Sequence, residues 1–184
     1  DPGPAGACTG QYGYGVAFWD GASHWRHGND YLGSYVRALV PWNGELVAGT
    51  ENFGSSGSRV SSYDGTTWRA FGAAGNNSVH ALQPWNGVLA AGGAFTQIGG
   101  VNANRVAYWN GTTWTALGTG MSGSVNCFAV FNGQLVAGGD FLTASGQSVN
   151  YIARWDGSAW QPLASGLNAS VEAMTVHNGE LIVG

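Results

Sequence analysis

The chain carries little charge and has no lysine. Of its 184 residues 9% are charged, its six basic residues are all arginines, and its formal net charge is −4. Six scattered arginines cannot neutralise a run of phosphates, so the composition argues against a nucleic-acid partner. No apolar run approaches the roughly 18 residues that a membrane-spanning helix needs, so we expect no membrane insertion.

Helical patterning is also missing. Glycine accounts for 32 of the residues, and no stretch keeps a 3.6-residue apolar period free of glycine or β-branched runs. With 44% apolar residues the chain is nevertheless rich enough to build a substantial core. These features favour an all-β protein with an uncharged polar surface.

The sequence instead repeats itself with a period of about 46 residues. One turn motif, an aromatic residue followed by Asp-Gly or Asn-Gly, begins at Trp19, Tyr63, Trp109 and Trp155. A second motif provides Asn-Gly turns at Asn43-Gly44, Asn86-Gly87, Asn132-Gly133 and, with the same spacing, Asn178-Gly179. Repeats of this length made of short strands are typical of propellers and related arrays, in which no single unit buries its apolar faces alone.

The second unit shows the predicted strands most clearly. Val79 to Trp85 and Val88 to Ala91 are strand-like runs joined by a two-residue Asn-Gly turn, which favours a type I′ hairpin. After a loop from Ala94 to Asn104, the runs Arg105 to Trp109 and Thr112 to Leu117 flank another Asn-Gly turn. Each unit is therefore predicted to be two hairpins, giving one four-stranded antiparallel propeller blade. Tryptophans recur late in each unit, and we interpret them as packing between blades: Trp25, Trp68, Trp114 and Trp160.

These residues resemble a known family of repeats. Apolar residues ending in a Gly-Gly doublet, followed by a tyrosine and a Thr-Trp pair, resemble the kelch-type β-propeller repeat, as in Leu89 to Gly93 with Tyr108 and Trp114. The chain is most similar to the glycine-rich, kelch-like repeats of bacterial secreted and cell-surface proteins, and the resemblance covers nearly all of it. It implies a β-propeller at an extracellular or cell-surface location. The first repeat departs from the pattern, with Gly49-Thr50 in place of the doublet.

Aligning the units predicts a single repeat domain over residues 1–184. Three blades cover about residues 35–78, 79–124 and 125–170, and residues 1–34 and 171–184 each supply half of a composite blade. Three arrangements remain open: a ring of four blades closed by the composite blade, part of a longer propeller of about six to eight blades, or an open arc whose edge strands pair with other copies.

Propellers bind ligands at one end of the central channel, so the candidate site consists of residues that vary at one regular position of the innermost strand. That position follows a valine and precedes an alanine or cysteine, and it holds Arg37, His80, Asn126 and Glu172. In a four-bladed ring Arg37 and Glu172 would be neighbours able to form an ion pair. The alternative interpretation is a solvated rim with no ligand.

No catalytic set, cofactor motif or metal site emerges from the sequence. The four histidines fall at four different places in the repeat: His24, His27, His80 and His177. Only His24 and His27, with Asp20 or Asp30, could meet locally, and we predict no metal there.

The two cysteines, Cys8 and Cys127, are too few for a disulfide framework. Cys127 occupies the place that alanine holds in the other repeats, so we interpret it as a small buried residue. A bridge between the two requires a fold that brings the first and third repeats together at that point.

The function predicted from the sequence is a non-catalytic binding or structural module, secreted or displayed at a cell surface, for a protein or glycan ligand. Three alternatives remain: a glycan-binding lectin with equivalent sites between blades, a filament or oligomer subunit that assembles through edge strands, and the scaffold of a secreted enzyme. The enzyme would carry its catalytic groups in the irregular segments from Asp1 to Gly15 and from His24 to Gly33.

Overall fold

The computed structural model describes residues 15–27, 32, 35–51, 59–73 and 75–184. The described residues form twenty strands and no helix. The N-terminal pair consists of β1 (Ala17–Trp19) and β2 (Trp25–His27). Sheet I contains β3 (Val36–Trp42), β4 (Glu45–Thr50), β5 (Val60–Tyr63) and β6 (Trp68–Ala70). Sheet II contains β7 (Val79–Trp85), β8 (Val88–Gly93), β11 (Val106–Trp109) and β12 (Trp114–Ala116). Between β8 and β11 the chain forms a separate small hairpin of β9 (Gln97–Ile98) and β10 (Val101–Asn102).

Sheet III repeats the organisation of sheet II. It contains β13 (Val125–Phe131) and β14 (Gln134–Gly139), then the hairpin of β15 (Thr143–Ala144) and β16 (Gln147–Ser148), then β17 (Ile152–Trp155) and β18 (Trp160–Pro162). The C-terminal pair consists of β19 (Met174–His177) and β20 (Glu180–Val183). Every strand pairing in these sheets is antiparallel. No helix among the described residues has the length and apolar character needed to cross a membrane.

The three sheets and the C-terminal pair lie side by side, and their first strands are adjacent in the order β3, β7, β13 and β19. One apolar cluster lies between sheets I and II and includes Phe71, Val79 and Trp114. A second lies between sheets II and III and includes Leu117 and Trp160. The core therefore consists of junctions between repeats, which is why a single unit of this sequence has nowhere to bury its apolar face. The N-terminal and C-terminal pairs are two separate two-stranded sheets, and their union in one composite blade remains a prediction.

The Asn-Gly turns between the first two strands of each unit have the geometry of type I′ hairpins. The asparagines have φ between 47° and 50° and the glycines φ between 74° and 80° at Asn43-Gly44, Asn86-Gly87, Asn132-Gly133 and Asn178-Gly179. Positive φ at both central residues is what a type I′ turn requires, and asparagine and glycine tolerate it best.

The second turn of each unit is different, and the expected Asn-Gly hairpin turn after Trp109 is wrong. Trp109 pairs with Trp114, so the connection has four residues, and only Gly111 has positive φ. The side-chain oxygen of Asn110 instead accepts hydrogen bonds from the backbone N–H groups of residues 112 and 113, with N···O distances of 2.9 Å each. The side chain replaces a backbone acceptor, which is the Asx turn that Asp and Asn form readily.

Aspartate does the same at the equivalent positions of other repeats. The side chain of Asp64 accepts a hydrogen bond from the Thr66 hydroxyl at 2.6 Å. It also accepts hydrogen bonds from the backbone N–H groups of Thr66 and Thr67 at 2.9 and 3.0 Å. These donors, the Thr66 hydroxyl first, lower the pKa of Asp64 to about 2. Backbone donors, chiefly Ala159 and Ser158, also lower the pKa of Asp156. The carboxylates are therefore held ionised by the turn itself.

The loop predicted from Ala94 to Asn104 contains a strand pair that the sequence analysis missed. Strands β9 and β10 pair two residues each, with Gly99 and Gly100 at the turn. Ile98 of this hairpin and Ala103 directly after it are buried in the apolar cluster between sheets I and II, so the hairpin extends that core. Strands of two residues are too short to show a periodicity.

The first glycine of each doublet allows neighbouring sheets to approach closely. A Cβ atom on Gly92 would lie 2.5 Å from Cγ1 of Val125, which is the valine that begins the first strand of the next sheet. The same atom on Gly138 would lie 2.6 Å from Val171 Cγ1. Any side chain at these positions would push adjacent first strands apart, which explains the glycine in physical terms.

Candidate functional site

The residues singled out on the first strands are bulged residues. In β3, β7 and β13 the strand register skips one residue, and the skipped residues are Arg37, His80 and Asn126. Glu172 has the same local pattern, because its N–H and that of Ala173 both donate to the carbonyl of Gly184, at 2.8 and 3.0 Å. A bulge leaves one residue outside the ladder and turns its side chain out of the regular alternation.

The second glycine of the doublet permits this bulge. A Cβ atom on Gly139 would lie 2.1 Å from the carbonyl oxygen of Ser124 and 3.0 Å from the backbone nitrogen of Asn126. A Cβ atom on Gly93 would similarly lie 2.1 Å from the carbonyl oxygen of Ser78. The two glycines of the doublet therefore have different roles. The first leaves room for the valine of the next sheet, and the second leaves room for the backbone of the bulge.

All four predicted residues line a single cavity of about 330 Å³, which we call the polar pocket. Its lining is formed by Arg37, His80, Asn126, Asp140 and Glu172. Because the first strands lie side by side, the same bulge repeated in each unit directs residues of four repeats towards one place. That a ligand binds there remains a prediction.

Two carboxylates share donors at one side of the polar pocket. The Asn126 amide nitrogen lies 3.3 Å from Asp140 Oδ1 and 3.2 Å from Glu172 Oε1. The Ser170 hydroxyl lies 2.5 Å from the same oxygen of Asp140 and 3.0 Å from the same oxygen of Glu172. A hydroxyl has one hydrogen and donates to one acceptor at a time, so the two carboxylates keep unused acceptor capacity.

Arg37 is neutralised within sheet I, and the expected ion pair with Glu172 is not formed. Its guanidinium pairs with Glu51, at the end of the neighbouring strand β4. This pairing is local to one hairpin and requires no second repeat. With the charges of Arg37 and Glu51 cancelled, Asp140 and Glu172 make the pocket negative.

Asp140 is the pocket residue that sequence reasoning missed. It directly follows the Gly138-Gly139 doublet, and Glu51 holds the same place after Gly49-Thr50 in the first repeat. Strands β13 and β14 are hydrogen-bonded partners, and Gly139 at the end of β14 pairs with Val125, directly before the bulged Asn126. Asp140, which follows Gly139, therefore lies beside the bulge. The signal was a polar residue at a second regular position, which Ala94 interrupts in the second repeat.

Cys127 is a half-buried free thiol beneath the pocket. Its sulfur lies 3.9 Å from the carbonyl oxygen of Val171. Burial, and then the negative charge of Glu172, raise the pKa of Cys127 to about 12. Cys8 lies outside the described residues, so the predicted alternatives for a bridge stay open.

The recurring tryptophans occupy different environments. Trp114 and Trp160 are buried at the junctions, whereas Trp25, at the equivalent place in the N-terminal pair, is 61% exposed. Trp68 is half-buried and stacks at 5.3 Å on Tyr63. Trp114 and Trp160 therefore pack between sheets, each in the junction with the sheet that precedes its own.

The residues considered for metal binding or catalysis contribute little to the described structure. No cluster of three or more metal-ligating side chains occurs within the described ranges. His24 contacts Asp20 at 3.3 Å and the Ser23 hydroxyl at 2.7 Å. Asp30 and the side chain of His27 lie outside what the structure describes, as do most of the two irregular segments that an enzyme would use.

A second cavity, of about 300 Å³, lies in the groove between sheets I and II. Trp42 and Trp109 contribute aromatic surface, and Glu45 and Arg69 contribute an ion pair. The position of Arg69 holds threonine and glutamine in the next two repeats, at Thr115 and Gln161. The Glu45–Arg69 ion pair of this groove is therefore not repeated at these positions in the next two repeats.

No protein-family model matches the chain, and no curated protein matches it. Among solved structures, the chain is similar to that of the computationally designed Ika8 protein, with a TM-score of 0.58 and 16% sequence identity. The match covers 88% of this chain and 46% of that one, so the chain corresponds to less than half of the length of the designed protein. At this identity the similarity concerns the fold alone, and it agrees with an all-β chain of several four-stranded antiparallel sheets.

Proposed function

We propose that this chain is a kelch-like β-propeller module, secreted or displayed at a cell surface, which binds a small polar ligand at its polar pocket without catalysing a reaction. The observation that carries the proposal is the convergence of four repeat-equivalent residues on one cavity, three of them bulged out of their strands and the fourth, Glu172, with the same local hydrogen bonding. In each repeat the side chain changes while the surrounding backbone stays the same. Regular architecture with variable residues at one mouth is how a repeat scaffold carries a specific site.

The charge and hydrogen-bonding groups of the pocket limit the ligand. Asp140 and Glu172 offer acceptors, and among the described lining residues the one fully charged donor, Arg37, is already engaged by Glu51. A ligand that presents several N–H or O–H donors therefore fits better than an anion, because bringing an anion beside two carboxylates would add repulsion. Amines, amino sugars and sugars meet this requirement.

The test is a titration of ¹⁵N-labelled protein with a panel of monosaccharides, amino sugars and dipeptides with free amino groups. We expect at least one of them to shift the side-chain amide signal of Asn126. The double variant Asp140→Asn/Glu172→Gln keeps the shape of the pocket and removes its charge, and should weaken that binding at least tenfold. Asp156→Asn, on a remote turn, is the matched control. Equal binding by wild type and the double variant would place the ligand elsewhere.

A second candidate function is glycan binding at the groove between sheets I and II. It is favoured by the combination of Trp42 and Trp109 with polar groups in a cavity of about 300 Å³. Because its Glu45–Arg69 ion pair is not repeated, the groove supports one site instead of several equivalent ones. A Trp42→Ala variant should lose glycan binding while the Asn126 amide signal remains unchanged; retention would exclude this groove.

A further inference from the structure

The two junctions between the three sheets differ at one tryptophan. Trp160, at the start of β18, donates its indole N–H to the carbonyl oxygen of Leu117 at 3.0 Å. Trp114 holds the same place at the start of β12 and is 3% exposed, but its indole nitrogen has no hydrogen-bond partner among the described residues. A buried donor without an acceptor carries a desolvation cost, which a ligand acceptor would remove. The junction between sheets I and II therefore contains an unused donor for a ligand.

This unpaired indole lies at the wall of the groove between sheets I and II. A Cβ atom on Gly72 would lie 2.7 Å from Trp114 Nε1 and 3.1 Å from Trp109 Cζ3. Gly72 and Trp109 both line the cavity of about 300 Å³ in this groove. The indole nitrogen is thus next to two lining residues, and a side chain at position 72 would cover it. A ligand group seated against Gly72 is the one placed to accept its hydrogen.

Ser62 provides the space in this groove. It lies on the third strand of sheet I, lines the groove and is 1% exposed. The equivalent residue of sheet II is Tyr108, which packs against the apolar cluster between sheets II and III. A serine in place of a tyrosine removes one ring from the junction between sheets I and II. The space that remains is bordered by Trp42 and Trp109.

The charged groups of the groove favour a neutral ligand. Arg69 forms an ion pair with Glu45 and a second one with Asp64, in which Nη1 and Oδ2 are 3.1 Å apart. Two carboxylates therefore share one guanidinium, and an anionic ligand would meet one negative charge in excess. An uncharged ligand with an apolar face avoids this repulsion and can lie against Trp42 and Trp109.

We propose that this groove binds an N-acetylated amino sugar, with the acetamido group beside Gly72 and Trp114. A sugar hydroxyl also accepts hydrogen bonds, but its own hydrogen would then lie against aromatic rings without an acceptor, whereas a carbonyl oxygen carries no hydrogen. The acetamido methyl packs on those rings, and the hydroxyl of Ser62 offers an acceptor to the amide N–H. The inference deepens the glycan-binding candidate function and rests on it, and it does not depend on the polar pocket.

The first test titrates ¹⁵N-labelled protein with N-acetylglucosamine and, for comparison, with glucose, glucosamine and glucuronate. N-acetylglucosamine should shift the indole N–H signal of Trp114 and bind there at least about tenfold more tightly than the others, because only it carries the acetamido group. Trp114→Phe assigns that signal and, by removing the donor, should weaken binding about fivefold. Equal binding of glucose and N-acetylglucosamine in the groove would overturn the acetamido assignment and leave glycan binding in place. Failure of every sugar to shift the signals of Trp42 and Trp114 would overturn both.

Variants of Ser62 test the origin of the groove. Ser62→Tyr introduces the side chain that Tyr108 contributes at the next junction, and it should abolish the Trp114 shift at sugar concentrations that saturate the wild type. Ser62→Ala keeps the space and removes the hydroxyl, so binding should weaken only about fivefold. Tyr108→Phe, at the equivalent place in sheet II, is the control and should bind like the wild type. Undiminished binding by Ser62→Tyr would overturn the proposal. Circular dichroism verifies folding, and Ser62→Leu carries the same test should the tyrosine variant unfold.

Discussion

The contribution of the junctions to stability can be measured at Trp160. This side chain is fully buried between sheets II and III, packs on Trp155 with ring centroids 5.5 Å apart, and donates to the Leu117 carbonyl. Replacing a buried tryptophan by alanine costs about 3–5 kcal/mol through lost transfer energy and the cavity left behind. Leaving the Leu117 carbonyl without its donor adds about 1 kcal/mol. Trp160→Ala should therefore lower the free energy of unfolding by about 4–6 kcal/mol.

Two further variants separate the contribution of the Trp160 hydrogen bond from that of its burial at a junction. Trp160→Phe keeps most of the ring and removes the N–H donor, so we expect a loss of about 1–2 kcal/mol. Trp25→Ala changes the equivalent tryptophan of the N-terminal pair, which is less than half buried, and should cost about 1 kcal/mol or less. Urea unfolding followed by circular dichroism gives the three values.

The ratio between these losses is the decisive result. Domains are typically stable by about 5–15 kcal/mol, so Trp160→Ala should remove a large share of the total and Trp25→Ala a small one. Equal losses at Trp160 and Trp25 would refute the reasoning, because they would mean that the two tryptophans are equally buried in solution.

Three further predictions concern single residues. Gly138→Ala should destabilise the chain by about 1–3 kcal/mol through its clash with the next first strand, while Gly184→Ala, which meets open space, should be neutral in thermal unfolding. Cys127, with its pKa raised to about 12, should react with a disulfide reagent at pH 8 at least about tenfold more slowly than a free thiol in a Cys8→Ser background; an equal rate would show that it is not buried. Asp64 has a lowered pKa in the folded chain, so its contribution to stability is present above the unfolded value near 3.8 and is lost as the pH falls towards 2. Asp64→Asn should therefore reduce the pH dependence of stability in that window and lower stability modestly at pH 7, because asparagine can make the same turn, as at position 110, but loses the ion pair with Arg69.

The repeats and their hairpins were predictable from sequence because their signals are local. An Asn-Gly pair such as Asn86-Gly87 fixes the turn with two residues, and the strands on either side follow from it. The Trp-Asn-Gly motif misled us because its Asn110 acts through its side chain, which a pair of residue letters does not distinguish. The small hairpin of β9 and β10 was missed because two-residue strands carry no period.

The candidate site was found by comparing repeats, and its physical basis became visible only in three dimensions. The variation at Arg37, His80, Asn126 and Glu172 indicated a common position, but not that a bulge turns these side chains out of their strands. Asp140 was missed because the second repeat has Ala94 at the polar position that follows the doublet. The Arg37–Glu172 ion pair was wrong because Glu51, in the adjacent strand, is nearer by topology.

The central claim is that side chains of consecutive repeats meet at one pocket, and one measurement tests it directly. Asn126 and Glu172 are 46 residues apart in the sequence, yet the amide nitrogen of Asn126 lies 3.2 Å from Glu172 Oε1. A nuclear Overhauser spectrum of labelled protein should show a cross-peak between the side-chain amide protons of Asn126 and the Glu172 methylene protons. If both groups are assigned and no such cross-peak is present, the repeats do not converge, and the proposed site does not exist.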